Sequence, residues 1–579
     1  MSTNISKKKR DDLLDKIKQI RAFIAAAPQD ENTGNLLSYL SDLEKDVNGK
    51  KYGLVFEEHR EEIDEVLDTH TPVLTEDKDL FIDNGGQMNF LIEGDNLASL
   101  KLLEKTHKGK IDLIYIDPPY NTGNKDFIYD DSFIDKNDLF SHSKWLSFIK
   151  HRLLIARNLL TKRGAIFISI DDNEQSPLKV LCDEIFGAEN FVTCLVWAAG
   201  RKNDSKYISV SHEYMLCYVK SMEYLKTNKI VWKQRKQGID DIYKEYEQLK
   251  KKYGSDYREM SSALKQWYKN LPENHPARNH SHYNFIDETG IYFPSDISWP
   301  GGGGGPKYEV LHPITHKPVR VPNRGWVYPT KERMQEIISQ KLVHFGDDET
   351  SVPCKKTYLK DNEMSTPYSV FYKDGRAATK RLRTIMGENV FQNPKDEEIL
   401  ESIIEFAALY NSTILDFFAG SGTTGHAVMK LNAEDGGNRK FILCTNNENG
   451  ICRDVTYERI RRVIDKENYA ASLKYYKVDY IPISDRMYYE YADELLRHIR
   501  ELVELENGIN FTGNEEIAIV LTEDELAAFI ADKDRFAKCR RLYMGHDLLP
   551  DEAQETALFK NKIEISIIPD YYYRDLQEG

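Results

Sequence analysis

The stretch STILDFFAGSGTTGHAVMKL, residues 412–431, admits few folds. An apolar run ends in an acid, small residues follow, and a helix begins. A strand of that kind is buried on both faces of a parallel sheet. The glycines let backbone approach a ligand closely, Asp416 can bind a ligand amine, and the helix start can hold a carboxylate or phosphate. Tight packing of strand on helix explains the same turn equally well. It is not a P-loop, since no Gly-Lys-Ser/Thr follows. It is not a regular G-x-G-x-x-G either, because Gly420-Ser421-Gly422 is followed by Gly425 with a different helix entry. An acid about 20 residues beyond such a turn often holds ribose hydroxyls. Glu448, in CTNNENG, stands there, although a loop glutamate is ordinarily just solvated.

The same grammar occurs earlier in the chain. NFLIEGDNLASLKLL reads as strand, turn and helix, and KIDLIYIDPPY as a strand. HSKWLSFIKHRLLIARNLLTKRG reads as a helix stopped by Gly164, AIFISID as a strand, SPLKVLCDEIFG as a helix ending at Gly187, and EYMLCYVK as a strand. Such alternation predicts a mainly parallel sheet covered on both faces. It stops near 223. Lysines interleaved with Trp and Tyr follow, then WPGGGGGPKYEV, in which five glycines between prolines bar a helix. This part reads as a separate, irregular insertion. Alternation resumes at about Leu382. Toward the start, Leu13, Leu14, Ile17, Ile20 and Ile24 recur at helical spacing among charges. That region is expected to pack on the rest of the chain or on a partner.

The formal net charge of −15 argues mildly against a simple nucleic-acid coat protein and leaves room for a local basic face. Seven cysteines without a C-x-x-C predict reduced thiols of a cytoplasmic protein, with no disulfide frame and no zinc finger. No run of about 18 apolar residues is present, so no membrane span is expected.

IYIDPPYNTG, residues 114–123, ends a strand with two prolines. A stiff closing loop is one reading. The other is a carboxylate, a carbonyl and an aromatic ring held rigidly around a planar polar group. Together, Asp-Pro-Pro-Tyr and DFFAGSGTT resemble the amino-methylating, S-adenosylmethionine-dependent DNA methyltransferases, in the β order of motifs. That resemblance implies an α/β fold, with a doubly wound Rossmann-like methyltransferase sheet and an inserted target-recognition domain. The expected organisation is an N-terminal helical region (1–75), a catalytic half (76–222), the insertion (223–379), a cofactor-binding half (380–480) and a small C-terminal α+β domain (481–579).

The resemblance also implies roles. Asp117 and the Pro118 carbonyl would accept the two N–H groups of an exocyclic amine, Pro119 would stiffen the loop, and Tyr120 would stack on the flipped base. Asp416, Phe417, Phe418, Ala419, Gly420, Ser421, Gly422, Thr423 and Thr424 would line the cofactor, with Glu448 on its ribose. FQNPKDEEIL resembles an F-x-x-P-K element, with Phe391 on the cofactor and Lys395 on its carboxylate. Asp396 stands where the family often has Pro. EGDN would bring Asp95 to the adenine amino group, with Asn96 beside it, although Asp95 serves equally as a helix-start residue. No metal is required. Asp in the first position of the motif leans to adenine N6, whereas cytosine-N4 members more often carry Ser.

DPPYNTG, FISIDDNE, CDEIFG and TNNENGICRDVTYERI resemble the Mod subunit of Type III restriction–modification systems. This implies double-stranded DNA as substrate, a homodimer and an ATP-dependent Res partner, since the chain carries no Walker A element. A solitary β-class methyltransferase, a cytosine-N4 enzyme and a silent DNA-binding subunit are the alternatives. A Pro-Cys pair at Cys354 and Glu-Asn-Val at 388–390 imitate cytosine-C5 enzymes, but in reversed order. Expected DNA contacts are Asn121, Thr122, Lys250, Lys251, Lys252, His312, Arg320, Arg324 and Trp326. The lysine run reads equally as a solvated helix face.

Overall fold

The structure is a computed structural model. It describes residues 5–26, 33–48, 56–123, 128–129, 132–133, 138–198, 206–301, 304–483 and 494–572. By compactness the chain divides into two units, one of residues 1–228, 369–404 and 408–579, the other of residues 229–368 and 405–407.

The first unit is built on a ten-stranded mixed sheet. In chain order its strands are β1 (His70–Glu76), β2 (Gln87–Glu93), β3 (Ile111–Ile116), β4 (Leu160–Ile170), β5 (Phe191–Ala198), β6 (His212–Val219), β7 (Val370–Tyr372), β8 (Thr413–Asp416), β9 (Lys440–Thr445) and β10 (Ala471–Pro482). Their spatial order is β1-β10-β2-β9-β8-β3-β4-β6-β5-β7. From β10 to β4 neighbouring strands are parallel, whereas β1 and β6 run against their neighbours. The parallel strands read as continuous apolar runs because both faces are covered, and Leu113, Ile114, Ile116, Leu415 and Leu443 are fully buried. Five helices carry or brace the residues of the candidate site: α1 (Asn96–His107), α2 (Ser141–Leu159), α3 (Glu397–Ala407), α4 (Thr423–Asp435) and α5 (Glu458–Glu467).

Four expectations are corrected. The helix expected to run to Gly164 is α2, and it ends at Leu159. Leu160 turns extended and pairs with Ile111, so β4 begins at once. Gly164 is needed for another reason: a Cβ there would lie 3.0 Å from the Ile111 carbonyl oxygen, where β4 passes close to β3. Second, the sheet resumes at β7, ahead of Leu382. Third, the insertion is ordered around two apolar cores rather than irregular. Helices Ile239–Tyr253 and Tyr257–Asn270 bury Ile242, Leu249, Met260 and Leu264, while Val310, Val319, Trp326 and Met334 form a second cluster. A four-stranded antiparallel sheet (Phe285–Asp287, Gly290–Ser295, Cys354–Tyr358, Val343–His344) belongs to the same unit. Fourth, the C-terminal part is α/β rather than α+β: Ile517–Val520, Arg541–Met544 and Glu564–Ile567 pair in parallel, which requires crossovers, here helical.

Helices Ile5–Ala26 and Thr33–Asn48 lie near the start of the chain. Of the apolar stripe expected there, Ile17 is buried, Leu14 and Ile24 are half-buried, and Leu13 and Ile20 are exposed. No helix among the described residues is long and apolar enough to cross a membrane.

Candidate active site

The register pairs Leu415 with Ile114, so β8 and β3 end side by side and deliver Asp416 and Asp117 to the same edge of the sheet. Ligands of open parallel sheets sit beyond the carboxyl ends of the strands.

Asp117 opens a loop that the rest of the unit holds in place. The Trp145 indole donates to the Pro119 carbonyl at 2.7 Å. Asn121 adopts a left-handed φ of 57°. Its amide donates to Glu174 Oε1 at 2.6 Å and to the Ser141 carbonyl at 3.3 Å. Asn121, expected to touch DNA, thus braces the loop. Thr122 follows, half-buried.

Four side chains meet over this loop. The Tyr120 hydroxyl lies 2.8 Å from Asp117 Oδ1 and 3.1 Å from Glu213 Oε2. The Lys395 ammonium lies 3.2 Å from Asp117 Oδ1, bonds Glu213 Oε2 and donates to the Tyr120 hydroxyl. It sits over the Tyr120 ring, 4.9 Å from its centre, and 5.5 Å from the centre of the Trp197 ring. Burial raises the pKa of Asp117, Lys395 pulls it down, and Glu213 pushes it up; the net shift is upward. Burial works against the charge of Lys395, but Asp117 and Glu213 outweigh it and raise its pKa. Both internal partners of Asp117 sit at Oδ1. Among the described residues none donates to Asp117 Oδ2 or to the Pro118 carbonyl. Two acceptors on one rigid loop are therefore left open. Lys395, expected at a cofactor carboxylate, here meets carboxylates of its own chain. Asp396 behind it accepts from Glu398 N at 3.0 Å as the N-cap of α3, which accounts for an acid at that position.

At the glycine turn, Asp416 accepts from Phe418 N at 3.0 Å and from the Thr424 hydroxyl at 2.5 Å. Burial pushes its pKa up to about 7. Gly422 caps α4 in a left-handed conformation, so no side chain covers the first N–H groups of that helix. Gly420 faces the ring of Phe391, and a Cβ there would fall 3.5 Å from that ring. Gly425 is a packing glycine, because a Cβ would come within 2.8–3.2 Å of Ile460, Leu443 and Phe441. Phe417 and Ala419 are buried beneath the turn. The side chains of Ser421 and Thr423 are buried as well. The Arg459 guanidinium, from α5, donates to the Ser421 carbonyl and hydroxyl at 3.2 Å and to the Thr423 hydroxyl at 2.9 Å, while the Thr456 hydroxyl donates to the Gly420 carbonyl.

Asp95 caps α1, accepting from Leu97 N at 2.7 Å and Ala98 N at 3.2 Å. Asn96 donates to the Phe417 carbonyl at 3.2 Å and accepts from Arg152, thereby tying α1 to the glycine turn. Glu448 is exposed on the loop after β9.

In the other unit, Lys250, Lys251 and Lys252 are exposed at the end of helix Ile239–Tyr253. Arg320 and Arg324 are exposed on a cavity of about 490 Å³ shared with Asp296, Ser298 and Cys354, and Arg324 pairs with Asp296 at 3.1 Å. Two expected DNA contacts are corrected, because both are core groups with their polar atoms engaged. His312 accepts from Ile314 N and Thr315 N, and its other nitrogen lies 3.1 Å from the Gly346 carbonyl oxygen. Trp326 donates to the Tyr308 carbonyl at 2.9 Å. Cys354 opens a strand, and burial raises its thiol pKa, which is unlike a nucleophile.

Sequence reading missed Glu213, Trp145, Arg152 and Arg459. Trp145 and Arg152 lie inside a stretch that reads simply as a helix, and Arg459 lies inside one that resembles Mod subunits. Glu213 opens an antiparallel strand whose neighbours only the fold reveals.

The acid at Asp416 gives one prediction for stability. Its folded pKa lies above the ordinary carboxylate value, so the folded state holds its proton more tightly than the unfolded one. The ligand-free protein then loses stability as pH rises from about 4 to about 7. Asp416→Asn is expected to flatten that part of the profile and to match or exceed the wild type above pH 7. Thermal unfolding across pH checks this, and an unchanged slope would count against it.

Several known proteins resemble the chain in sequence. Over 388 residues the chain is 37% identical to the EcoP15I Mod subunit of a Type III restriction–modification enzyme from Escherichia coli, covering 62% of this chain and 58% of that protein. It is 34% identical over 423 residues to the StyLTI Mod subunit from Salmonella typhimurium, covering 66% of this chain and again 58% of the relative. The chain thus spans little more than half the length of these relatives. It is 33% identical over 407 residues to the Type II methyltransferase M.KpnI from Klebsiella pneumoniae, covering 67% of this chain and 90% of that protein. The N6/N4 methyltransferase family model, described as DNA methylase, matches residues 111–458, more than half of the chain and inclusive of Asp117, Lys395 and Asp416. On that match, the chain belongs to the N6/N4 DNA methylase family.

Proposed function

We propose that this protein is a site-specific DNA methyltransferase acting on adenine N6, the modification and recognition subunit of a Type III restriction–modification system. The observation that carries the reading is the pair of open acceptors, Asp117 Oδ2 and the Pro118 carbonyl. An exocyclic amine is a poor nucleophile because its lone pair is delocalised into the ring. It presents two N–H donors. Accepting both draws the nitrogen toward tetrahedral geometry and aims its lone pair. The prolines fix the acceptors, and Trp145 occupies the Pro119 carbonyl so that it does not compete.

The site fits S-adenosylmethionine. The uncovered start of α4 suits its carboxylate, and Asp95, Asn96 and Glu448 lie on neighbouring strand ends. When bound, it supplies a methyl group already activated on a sulfonium. The chain supplies alignment and charge: Asp117 accepts the proton that the amine must lose, and Tyr120 offers a ring to the flipped base. Asp leans to adenine over cytosine, in keeping with the Mod-like sequence. Exposed Arg320, Arg324 and Lys250–Lys252 offer cations to phosphates. The homodimer and the Res partner rest on the likeness to Mod subunits. A solitary enzyme is the second reading, favoured by the match to nearly the whole of M.KpnI.

The test uses purified protein, methyl-labelled S-adenosylmethionine and unmethylated plasmid, with the DNA digested to nucleosides for mass spectrometry. N6-methyladenine is expected. N4-methylcytosine would overturn the target base, 5-methylcytosine the mechanism, and no methylated base the reading as a whole. Co-purification with a large ATPase–nuclease separates a Mod subunit from a solitary enzyme.

A further inference from the structure

Resting on that reading, we propose that Glu213 is a positioning residue for the reaction. It holds the Lys395 ammonium and the Tyr120 hydroxyl against Asp117 Oδ1, and so leaves Oδ2 as the oxygen that meets the target amine.

Glu213 comes from β6, two strands from Asp117 in the sheet. Its Oε2 binds the same ammonium and the same phenol that Asp117 Oδ1 binds. Two carboxylates thus share one lysine and one tyrosine. The side chains of Asp117, Glu213 and Lys395 remain 29%, 33% and 12% exposed, so the cluster lines open space instead of lying sealed in the core. A lysine serving Asp117 alone would be free to swing to either oxygen. Anchored from the second strand, it is confined to one side of the carboxylate. The cluster carries a net charge of −1, which suits a positively charged methyl donor and the positive charge that develops on the amine.

The arrangement has a titration signature. The groups facing Asp117 are Lys395, Glu213, Tyr120, Tyr115 and Asp416; those facing Glu213 are Lys395, Asp117, Tyr120, Tyr115 and Asp171. The charge of Glu213 raises the pKa of Asp117. Glu213→Gln removes that charge, so the acidic limb of the pH–rate profile moves to lower pH. A purely structural glutamate would lower the rate without moving the limb.

The experiment compares the wild type, Glu213→Gln and Glu213→Asp in plasmid methylation from pH 5 to pH 9, with S-adenosylhomocysteine binding measured by calorimetry. For Glu213→Gln the expected result is a limb about half a unit to one unit lower and kcat about tenfold lower at neutral pH, with product binding within about threefold. Glu213→Asp is expected to keep the wild-type limb with a partial loss of rate. It carries the test if Glu213→Gln does not fold, because a limb shift in Glu213→Asp equally overturns the proposal. Normal activity, or an unmoved limb with a uniform loss in Glu213→Gln, also overturns it. Absence of methylation by the wild type overturns the parent reading, and this inference with it.

Discussion

Asp117→Ala is expected to abolish methylation, by on the order of 10³-fold or more, while cofactor binding changes by no more than about threefold. The substitution deletes the open Oδ2 acceptor and leaves Pro118 to take a single N–H. The amine then keeps its lone pair in the ring. Lys395 and Tyr120 retain Glu213 as a partner, so the loop is not stripped of its ion pair. The glycine turn does not depend on Asp117: Asp416 is held by Thr424 and Phe418 N, and Ser421 and Thr423 by Arg459. Single-turnover methylation and calorimetric titration separate the two effects. Turnover close to that of the wild type would remove Asp117 from the mechanism.

Arg152→Ala has the largest expected cost in stability, about 3–5 kcal/mol, because it strands a carboxylate. Arg152 is fully buried. It donates to both oxygens of Glu61, at 2.6 and 3.0 Å, to the Phe148 carbonyl at 2.6 Å and to Asn96 Oδ1, and its guanidinium lies 3.9 Å from the centre of the Phe148 ring. Burial already raises the pKa of Glu61 against the pull of Arg152. Without Arg152 it rises further, so the folded state gains proton affinity and the loss of stability deepens as pH rises. Denaturant midpoints at pH 5 and pH 8 check both the size and the sign. Arg152→Met with Glu61→Leu is expected to recover most of the loss, since the pair is then replaced by apolar bulk. Asn96 also loses its anchor, so cofactor affinity is expected to fall in Arg152→Ala.

How far the molecule was legible depended on whether a feature was local. Strands such as Gln87–Glu93 and Ile111–Ile116 announced themselves as apolar runs, and the two motifs located the edge of the sheet where the acids meet. The end of α2 was misjudged because Gly164 looked like a helix stop, whereas it answers to β3, some fifty residues earlier. His312 and Trp326 looked like groups for a ligand because both residue types serve that purpose, but each fills a core and satisfies its own backbone. Glu213 carried no signal, since its meaning lies in a neighbour that β3 supplies across the sheet. Arg152 sits in a stretch that reads simply as a helix and Arg459 in one that resembles Mod subunits, and only packing turns them into braces.

The two acceptors left open on the Asp117 loop bear on which bases are refused as well as on how one is activated. In duplex DNA only adenine N6 and cytosine N4 present an amino group at that edge, while guanine and thymine present a carbonyl oxygen there. Neither an ionised carboxylate nor a peptide carbonyl has a proton to give. A thymine turned into this pocket would have no amine to offer and would set a carbonyl oxygen against both acceptors, with its lone pairs unmet and water excluded. On the proposed function thymine would thus be rejected by repulsion before any sequence-reading contact is made, and guanine would be admitted only with its N2 edge turned to the loop.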